Sequence, residues 1–123
     1  VNAGHALNPQ KISFLDAKEV DNSSRGGVGP DGVYCDPWGS PYIITMDLNF
    51  DKLCRDGFYS LPAVSADPKI PTSGLNGLAR SEKSNVFEYR GDVMVWSIGP
   101  DGLANPNVNA NTGVNKDNVL SWK

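Results

Sequence analysis

The sequence contains little of what most catalytic sites require. It has a single histidine, His5, and only two cysteines, Cys35 and Cys54. A Ser-His-Asp or Cys-His arrangement would have to use this one histidine, which lies close to the first residue, where side chains seldom hold a fixed position. One histidine and two separated cysteines also cannot supply a tetrahedral zinc site at the usual spacing, and no glycine-rich nucleotide-binding loop is present. We therefore expect a protein that is not an enzyme.

Long apolar runs and clusters of basic residues are missing as well. No segment approaches the roughly 18 consecutive apolar residues that a membrane-spanning helix needs. Eleven basic and 14 acidic residues give a net charge of -3, and no run of Lys or Arg predicts a phosphate-binding stripe. Nucleic acid is therefore not an expected partner, and a membrane anchor is expected only outside this sequence.

The residues that are abundant predict a small domain rich in turns. A chain of 123 residues is long enough for one hydrophobic core, so we expect a single domain, 1–123. Its 13 glycines and 9 prolines favour turns and loops over long helices. The Ala3–Leu7 segment, which precedes Pro9, has the composition of the end of a helix that continues upstream of Val1.

The two cysteines bracket a predicted strand. An even count in an acidic, loop-rich domain is compatible with one disulfide between Cys35 and Cys54 in an oxidising compartment. The alternative is a pair of unpaired, partly buried thiols. We expect the disulfide, because small domains outside the cytosol often need a covalent link to supplement a small core.

Alternating apolar residues mark the clearest strand of the chain. One side of this pattern carries Tyr42, Ile44, Met46, Leu48 and Phe50, which predicts a half-buried strand. Ahead of it, the Asp36-Pro37-Trp38-Gly39 turn is expected to place Trp38 in the core. Further along, the NVFEY and DVMVWSI segments flank Arg90-Gly91 and predict an antiparallel hairpin whose core side includes Trp96.

An oxygen-rich segment follows the second of these strands. It opens with the tetrapeptide Gly99-Pro100-Asp101-Gly102, which also occurs at Gly29–Gly32 and suits a type I turn. The segment then carries many potential oxygen ligands: Asp101, Asn105, Asn107, Asn109, Asn111, Asn115, Asp117 and Asn118. Ca²⁺ binds about 6 to 8 such oxygens in irregular geometry, although the EF-hand pattern is absent.

A solvated loop whose asparagines only stabilise turns is the alternative to a calcium site. Between Leu103 and Val119 the segment has almost no apolar anchor. Ordering so long a loop without a cross-link is costly in conformational entropy. This consideration favours a bound cation that stabilises the loop.

Together these motifs resemble a known family. A DPWG-x-PY motif followed by an alternating strand, a later strand ending in WSIGPDG, and a loop that closes on a tryptophan resemble the soluble domain of the major pseudopilin of bacterial type II secretion. The resemblance extends from about Pro30 to Trp122. It implies an α+β, pilin-like fold, in which an antiparallel sheet with long loops packs against an N-terminal helix that is largely missing from this chain.

The resemblance also implies a set of calcium ligands. Asp101 corresponds to a side-chain ligand and Ile98 to a main-chain ligand, while the family's closing acidic pair falls on Lys116, Asp117 and Asn118. Depending on the alignment, Lys116 or Asn118 replaces one carboxylate. The expected metal site is therefore Ile98, Asp101, Asp117 and Asn118, and fewer carboxylates would weaken the binding of Ca²⁺ without abolishing it.

For function, the resemblance implies a structural subunit. Such proteins assemble into a helical periplasmic filament together with other pseudopilins and components of the secretion machinery. Their only contact with the membrane is the N-terminal helix, which anchors the full-length protein in the inner membrane, so a periplasmic or cell-surface location is expected. The alternative is an extracellular calcium-dependent module, in which Trp38 or Trp122 contacts a carbohydrate or a surface partner.

Overall fold

The regular secondary structure in the described part of the chain is mostly β-strand, and turns and loops connect the strands. The computed structural model describes residues 6, 9–12, 16–21, 26–70 and 72–123. Its strands form antiparallel sheets, and the only regular helix in these ranges is the single turn Pro62–Ser65 (α1), besides a 3₁₀ turn at Gly113–Asn115. The sheet-rich part of the expected fold is confirmed. No helix within these ranges is long and apolar enough to cross a membrane. His5 lies outside the described residues. So does the helix end expected at Ala3–Leu7, except for Ala6.

The chain divides into two compact units, Val1–Pro41 and Tyr42–Lys123. In the first unit, Gly27–Val28 (β1) pairs with Tyr34–Cys35 (β2) across the first GPDG turn, in which the Gly32 amide donates to the Gly29 carbonyl over 2.9 Å.

The DPWG turn of the first unit buries its aspartate instead of its tryptophan. The fully buried carboxylate of Asp36 accepts hydrogen bonds from the amides of Trp38 (3.0 Å) and Ser40 (2.9 Å). Trp38 itself is 49% exposed, so the prediction that it anchors the core is wrong. The Asp36 carboxylate stabilises the turn through these hydrogen bonds, so the turn does not require burial of the Trp38 indole.

The second unit contains two three-stranded sheets. Ile43–Met46 (β3), Val93–Ser97 (β7) and Val119–Leu120 (β8) form one sheet in the order β3-β7-β8. Leu53–Cys54 (β4), Ala79–Arg80 (β5) and Phe87–Arg90 (β6) form the other in the order β4-β6-β5.

The hairpin expected around Arg90-Gly91 does not form, because β6 and β7 belong to different sheets. The chain bends at residues 91–92, between β6 and β7. A second bend, at residues 47–52 between β3 and β4, lies next to it. Two hydrogen bonds join the bends, from Asp47 N to Asp92 O (2.9 Å) and from Gly91 N to Lys52 O (3.0 Å). The β3-β7 pair therefore continues into the β4-β6 pair as one bent ribbon.

The core of the second unit is built from side chains of both sheets and the loops between them. Its buried members are Cys54, Tyr59, Val64, Leu78, Phe87, Met94, Trp96 and Ala110. One buried carboxylate organises its centre: Asp56 accepts hydrogen bonds from the amides of Phe58 and Tyr59, the hydroxyl of Thr45 and the indole N–H of Trp96. Both carboxylate oxygens of Asp56 are used in hydrogen bonds that hold the core together, so Asp56 has a structural role.

The opposite face of the β3-β7-β8 sheet is apolar and exposed. Thr45 and Ile43 oppose the buried Met94 and Trp96, so the alternate residues of β3 point away from the core. Ile44 and Met46 are 58% and 59% exposed, and Val93 and Val119 are also exposed. The alternation seen in the sequence is confirmed as far as Met46, where β3 ends. Its apolar side does not face the core of this unit.

The expected disulfide is absent, because Cys35 and Cys54 are both buried free thiols. The Cys54 side chain lies in the core, with its sulfur 3.3 Å from the carbonyl oxygen of Gly91. Burial raises the pKa of the Cys54 thiol and therefore favours its neutral form. An even cysteine count carries no information on whether the two sulfur atoms are close enough to bond.

Candidate metal centre

The asparagine-rich loop after β7 is organised largely by one of its own side chains. Asn115 is 1% exposed, and its Oδ1 accepts a hydrogen bond from the Asn105 amide over 2.8 Å. Its Nδ2 donates to the carbonyls of Asn105 (2.8 Å) and Val108 (2.7 Å). One buried amide thereby closes the loop on itself.

The same loop is attached to the core at its middle. The Ala110 amide donates to the Val64 carbonyl over 2.8 Å, and Ala110 is 4% exposed within the core. The Asn109 side chain donates to the Ala66 carbonyl over 3.1 Å. The expectation that the loop has almost no apolar anchor is wrong, so the entropic cost of ordering it no longer argues for a cation. For Asn105, Asn109 and Asn115, the stabilisation of turns is the role that the structure shows.

Asp101 occupies an exposed position in the second GPDG turn. Its Oδ1 accepts a hydrogen bond from the Leu103 amide over 2.9 Å. Asp31 does the same in the first GPDG turn, where it accepts from the Val33 amide over 3.1 Å. The two copies of the motif therefore share one turn geometry. Stabilisation of the turn alone accounts for the presence of aspartate at position 101.

The structure brings the start and the end of the loop together at Gly99 and Asp117. Ser97 at the end of β7 pairs with Val119 at the start of β8, so the residues that follow Ser97 approach those that precede Val119. Gly99 is buried and has φ of +72°, and a Cβ added there would lie 2.3 Å from the Asp117 carbonyl oxygen. Only glycine combines this backbone conformation with so close an approach. Ile98, the expected main-chain ligand, precedes Gly99 and packs against the core.

Two buried oxygens at the closing end of the loop have no hydrogen-bond partner. They are Oδ1 of Asp117 and Oδ1 of Asn118. An unsatisfied buried polar group costs about 1 to 3 kcal/mol, more when it is charged, so native proteins seldom keep one without a reason. The indole nitrogen of Trp122 is also buried without a partner, but as an N–H donor it cannot coordinate a cation.

A hydrogen bond to the core fixes the orientation of the Asn118 side chain. Its Nδ2 donates to the hydroxyl oxygen of Tyr59 over 2.9 Å. The Tyr59 ring packs edge-on against Trp96 and Trp122, with centroid separations of 5.0 and 5.2 Å. Because the amide nitrogen is engaged by Tyr59, the amide oxygen is the unpaired atom. Sequence reasoning did not identify Tyr59, and no local motif marks it.

These residues fit a calcium ion better than they fit other metals. In the part of the chain that the structure describes, no three His, Cys, Asp or Glu side chains gather in a group that could hold a metal. A three-residue ligand set for zinc or another transition metal is therefore missing there, and a calcium ion would depend mainly on amide and main-chain oxygens. Ca²⁺ accepts a mixture of carboxylate, amide and main-chain oxygens, and Asp117 and Asn118 offer one unpaired carboxylate oxygen and one unpaired amide oxygen.

The four expected ligands thus differ in the support they receive. Asp117 and Asn118 carry the unpaired oxygens, whereas the carboxylate of Asp101 has a turn role of its own. With so few carboxylates, a site here belongs with the weaker calcium modules, whose dissociation constants are about 10⁻⁴ to 10⁻³ M. Comparison of the chain with protein families, with curated proteins and with solved structures found no match.

Proposed function

We propose that this protein is a structural subunit of a pilin-like filament, of the type II secretion pseudopilus class, and that Ca²⁺ stabilises its C-terminal loop. The observation that carries the proposal is the exposed apolar face of the β3-β7-β8 sheet, where Ile44, Met46, Val93 and Val119 are exposed. A continuous apolar patch on the outer face of a sheet typically marks a surface that a second layer or a partner covers.

In the proposed protein, that second layer is an N-terminal helix of the full-length chain. Met46 pairs with Val93, and Ile44 pairs with Val95, so the exposed side chains lie side by side across two strands and form a continuous surface. An amphipathic or apolar helix packs well on such a surface. The same helix anchors the subunit in the inner membrane and places this domain in the periplasm or at the cell surface.

A filament forms when one heterologous interface, between two different surfaces of the subunit, is repeated from copy to copy. Subunits that join head to tail without closing a ring form an open helical filament. The partners of the protein are then further copies of itself, other pseudopilins and components of the secretion machinery. Such a subunit needs no catalytic group, and calcium has a stabilising role.

The assembly of variants tests the proposal. Ile44→Asp places a charge on the exposed sheet face, whereas Ile70→Asp, at a residue that is 56% exposed, makes the same change outside this sheet. Both variants should leave the thermal midpoint of the domain nearly unchanged, since neither side chain is in the core. In the full-length protein, Ile44→Asp should abolish filaments seen by electron microscopy while Ile70→Asp retains them. Normal filaments from Ile44→Asp would overturn the proposal.

A second candidate function is an extracellular calcium-dependent binding module, which the exposure of Trp38 favours. An indole that is 49% exposed on a rigid turn can stack on a sugar ring or contact a surface partner. The sequence encoded upstream of Val1 separates the two functions. A prepilin-type leader followed by an apolar helix supports the filament subunit, and an ordinary cleavable signal peptide supports the module.

A further inference from the structure

A cleft with an excess of positive charge lies beside the β4-β6-β5 sheet. It has a volume of about 460 Å³. Five of its lining residues are basic: Lys52, Arg55, Arg80, Lys83 and Arg90. Three are acidic, namely Asp51, Glu82 and Glu88, so the lining carries five minus three, or +2. This sign is opposite to that of the whole chain, whose net charge is -3.

Two of the acidic residues already have partners inside the fold. Glu88 is 8% exposed, and its Oε2 accepts a hydrogen bond from Arg55 Nε over 2.8 Å. The Asp51 carboxylate accepts hydrogen bonds from the Leu53 amide (2.9 Å) and the Asn49 side chain (3.0 Å). The charges of Arg55 and Glu88 therefore offset each other, whereas Asp51 is held in place by neutral donors and keeps its negative charge.

Three of the basic residues have no carboxylate partner. Over the ranges that the structure describes, ion pairs form only between Arg55 and Glu88 and between Lys52 and Asp92. Arg80 donates to the neutral side-chain oxygen of Asn85 over 2.7 Å. Lys83 and Arg90 line the cleft without an ion pair, so the cations Arg80, Lys83 and Arg90 outnumber Asp51 and Glu82, the two acidic lining residues without an ion pair.

The backbone that carries these cations is well defined. Arg80 is on β5 and Arg90 is on β6, two strands that pair directly. Lys83 lies in the connection between them, which is closed by a hydrogen bond from the Ser81 amide to the Val86 carbonyl over 2.9 Å. Side chains on paired strands and a closed turn lose little further backbone entropy when a ligand binds.

We propose that this cleft, defined by Arg80, Lys83 and Arg90, binds an oxyanion, either a phosphate or carboxylate groups. Guanidinium groups donate paired hydrogen bonds that match the oxygens of both anions, and a lysine adds a point charge. A metal ion is not the expected ligand, because the lining is net positive. The site is separate from the candidate metal centre, and the proposal does not depend on the filament function.

Titrations of the folded domain at low ionic strength test the proposal. Two probes are used, inorganic phosphate and a tri-glutamate peptide, and binding is followed by amide chemical shifts in NMR spectra. Saturable shifts confined to residues 51–55, 80–83 and 88–90 are expected for at least one probe. Tighter binding of phosphate identifies a phosphate-bearing ligand, and tighter binding of the peptide identifies a carboxylate-bearing one.

Matched charge removals complete the experiment. Arg90→Ala should weaken binding at least about tenfold, the loss expected for one charge-assisted contact. Lys69→Ala removes the same charge at an exposed residue that does not line the cleft, and it should leave the affinity unchanged. The proposal is overturned if neither probe binds, or if the two variants weaken binding equally, since the interaction would then be nonspecific.

Discussion

Asn118 donates a hydrogen bond from Nδ2 to the hydroxyl oxygen of Tyr59 over 2.9 Å, and this bond connects the closing end of the C-terminal loop to the aromatic core. Tyr59 is 1% exposed and contacts both Trp96 and Trp122. The amide oxygen of Asn118 is thereby left unpaired, as is one carboxylate oxygen of Asp117. A change in either the core or the loop should therefore be detectable in the other.

The ionisation of Tyr59 should make the domain less stable in alkali. Burial raises the pKa of Tyr59 to about 12, against the smaller opposing effect of the Asn118 hydrogen bond. An unfolded chain loses this proton near pH 10. Between about pH 10 and 12 the unfolded state thus binds fewer protons, so the free energy of unfolding falls as the pH rises.

Urea unfolding at a series of pH values checks this sign. Below about pH 10 the contribution of Tyr59 is fully present, and it is lost as the pH rises toward 12. The variant Tyr59→Phe keeps the ring but cannot ionise, so its stability should fall less steeply over this range. Parallel curves for the two proteins would show that Tyr59 titrates normally in the folded state.

Replacement of Gly99 should be far more damaging than replacement of Gly102. Both glycines have positive φ, +72° and +65°, but a Cβ at Gly99 meets the Asp117 carbonyl at 2.3 Å, while one at Gly102 meets nothing within 4 Å. Gly102→Ala should cost about 1 kcal/mol of backbone strain. Gly99→Ala adds a clash with backbone and should cost about 3 kcal/mol in urea unfolding. Equal losses would mean that the two ends of the loop do not approach as described.

The Asn115 side chain should be the main stabilising group of the loop. Asn115→Ala removes three hydrogen bonds and leaves the Asn105 amide and two carbonyls without their partners. We expect a loss of about 3 kcal/mol in the free energy of unfolding. Asn107→Ala changes an exposed asparagine of the same loop and should stay within about 0.5 kcal/mol of the wild type. A small effect of Asn115→Ala would contradict the assigned hydrogen bonds.

Local patterns predicted the strands better than their partners. The alternation in β3 and the apolar positions of β7 both appear in the structure, because side-chain period is a property of the strand itself. The pairing of β6 with β7 was mispredicted, since a tight Gly-containing turn and the bend observed at Gly91–Asp92 look alike in sequence. The bend at Gly91–Asp92 is distinguished from a hairpin turn by its hydrogen bonds to the neighbouring bend at residues 47–52. These partners are distant in the sequence, so no local pattern shows them.

The candidate site shows the same division. Composition identified the oxygen-rich loop, but it could not tell which oxygens are used by turns and which remain unpaired. Asn115 and Asp117 are both polar residues of the same loop. The Asn115 amide makes its hydrogen bonds within the loop, whereas Oδ1 of Asp117 has no hydrogen-bond partner. Only the folded positions of Tyr59 and Gly99 make that distinction.

Calcium dependence of the thermal midpoint is the most direct test of the account. Because an ion that binds only the folded state stabilises by mass action, calcium at about 100 times its dissociation constant adds about 2.7 kcal/mol. The midpoint should rise with added Ca²⁺ and return to its starting value with a chelator. Asp117→Asn should remove most of this response, and Asp101→Asn should remove less of it. A wild-type midpoint that does not change up to 10 mM Ca²⁺, roughly ten times the weakest dissociation constant expected of such sites, would contradict the account.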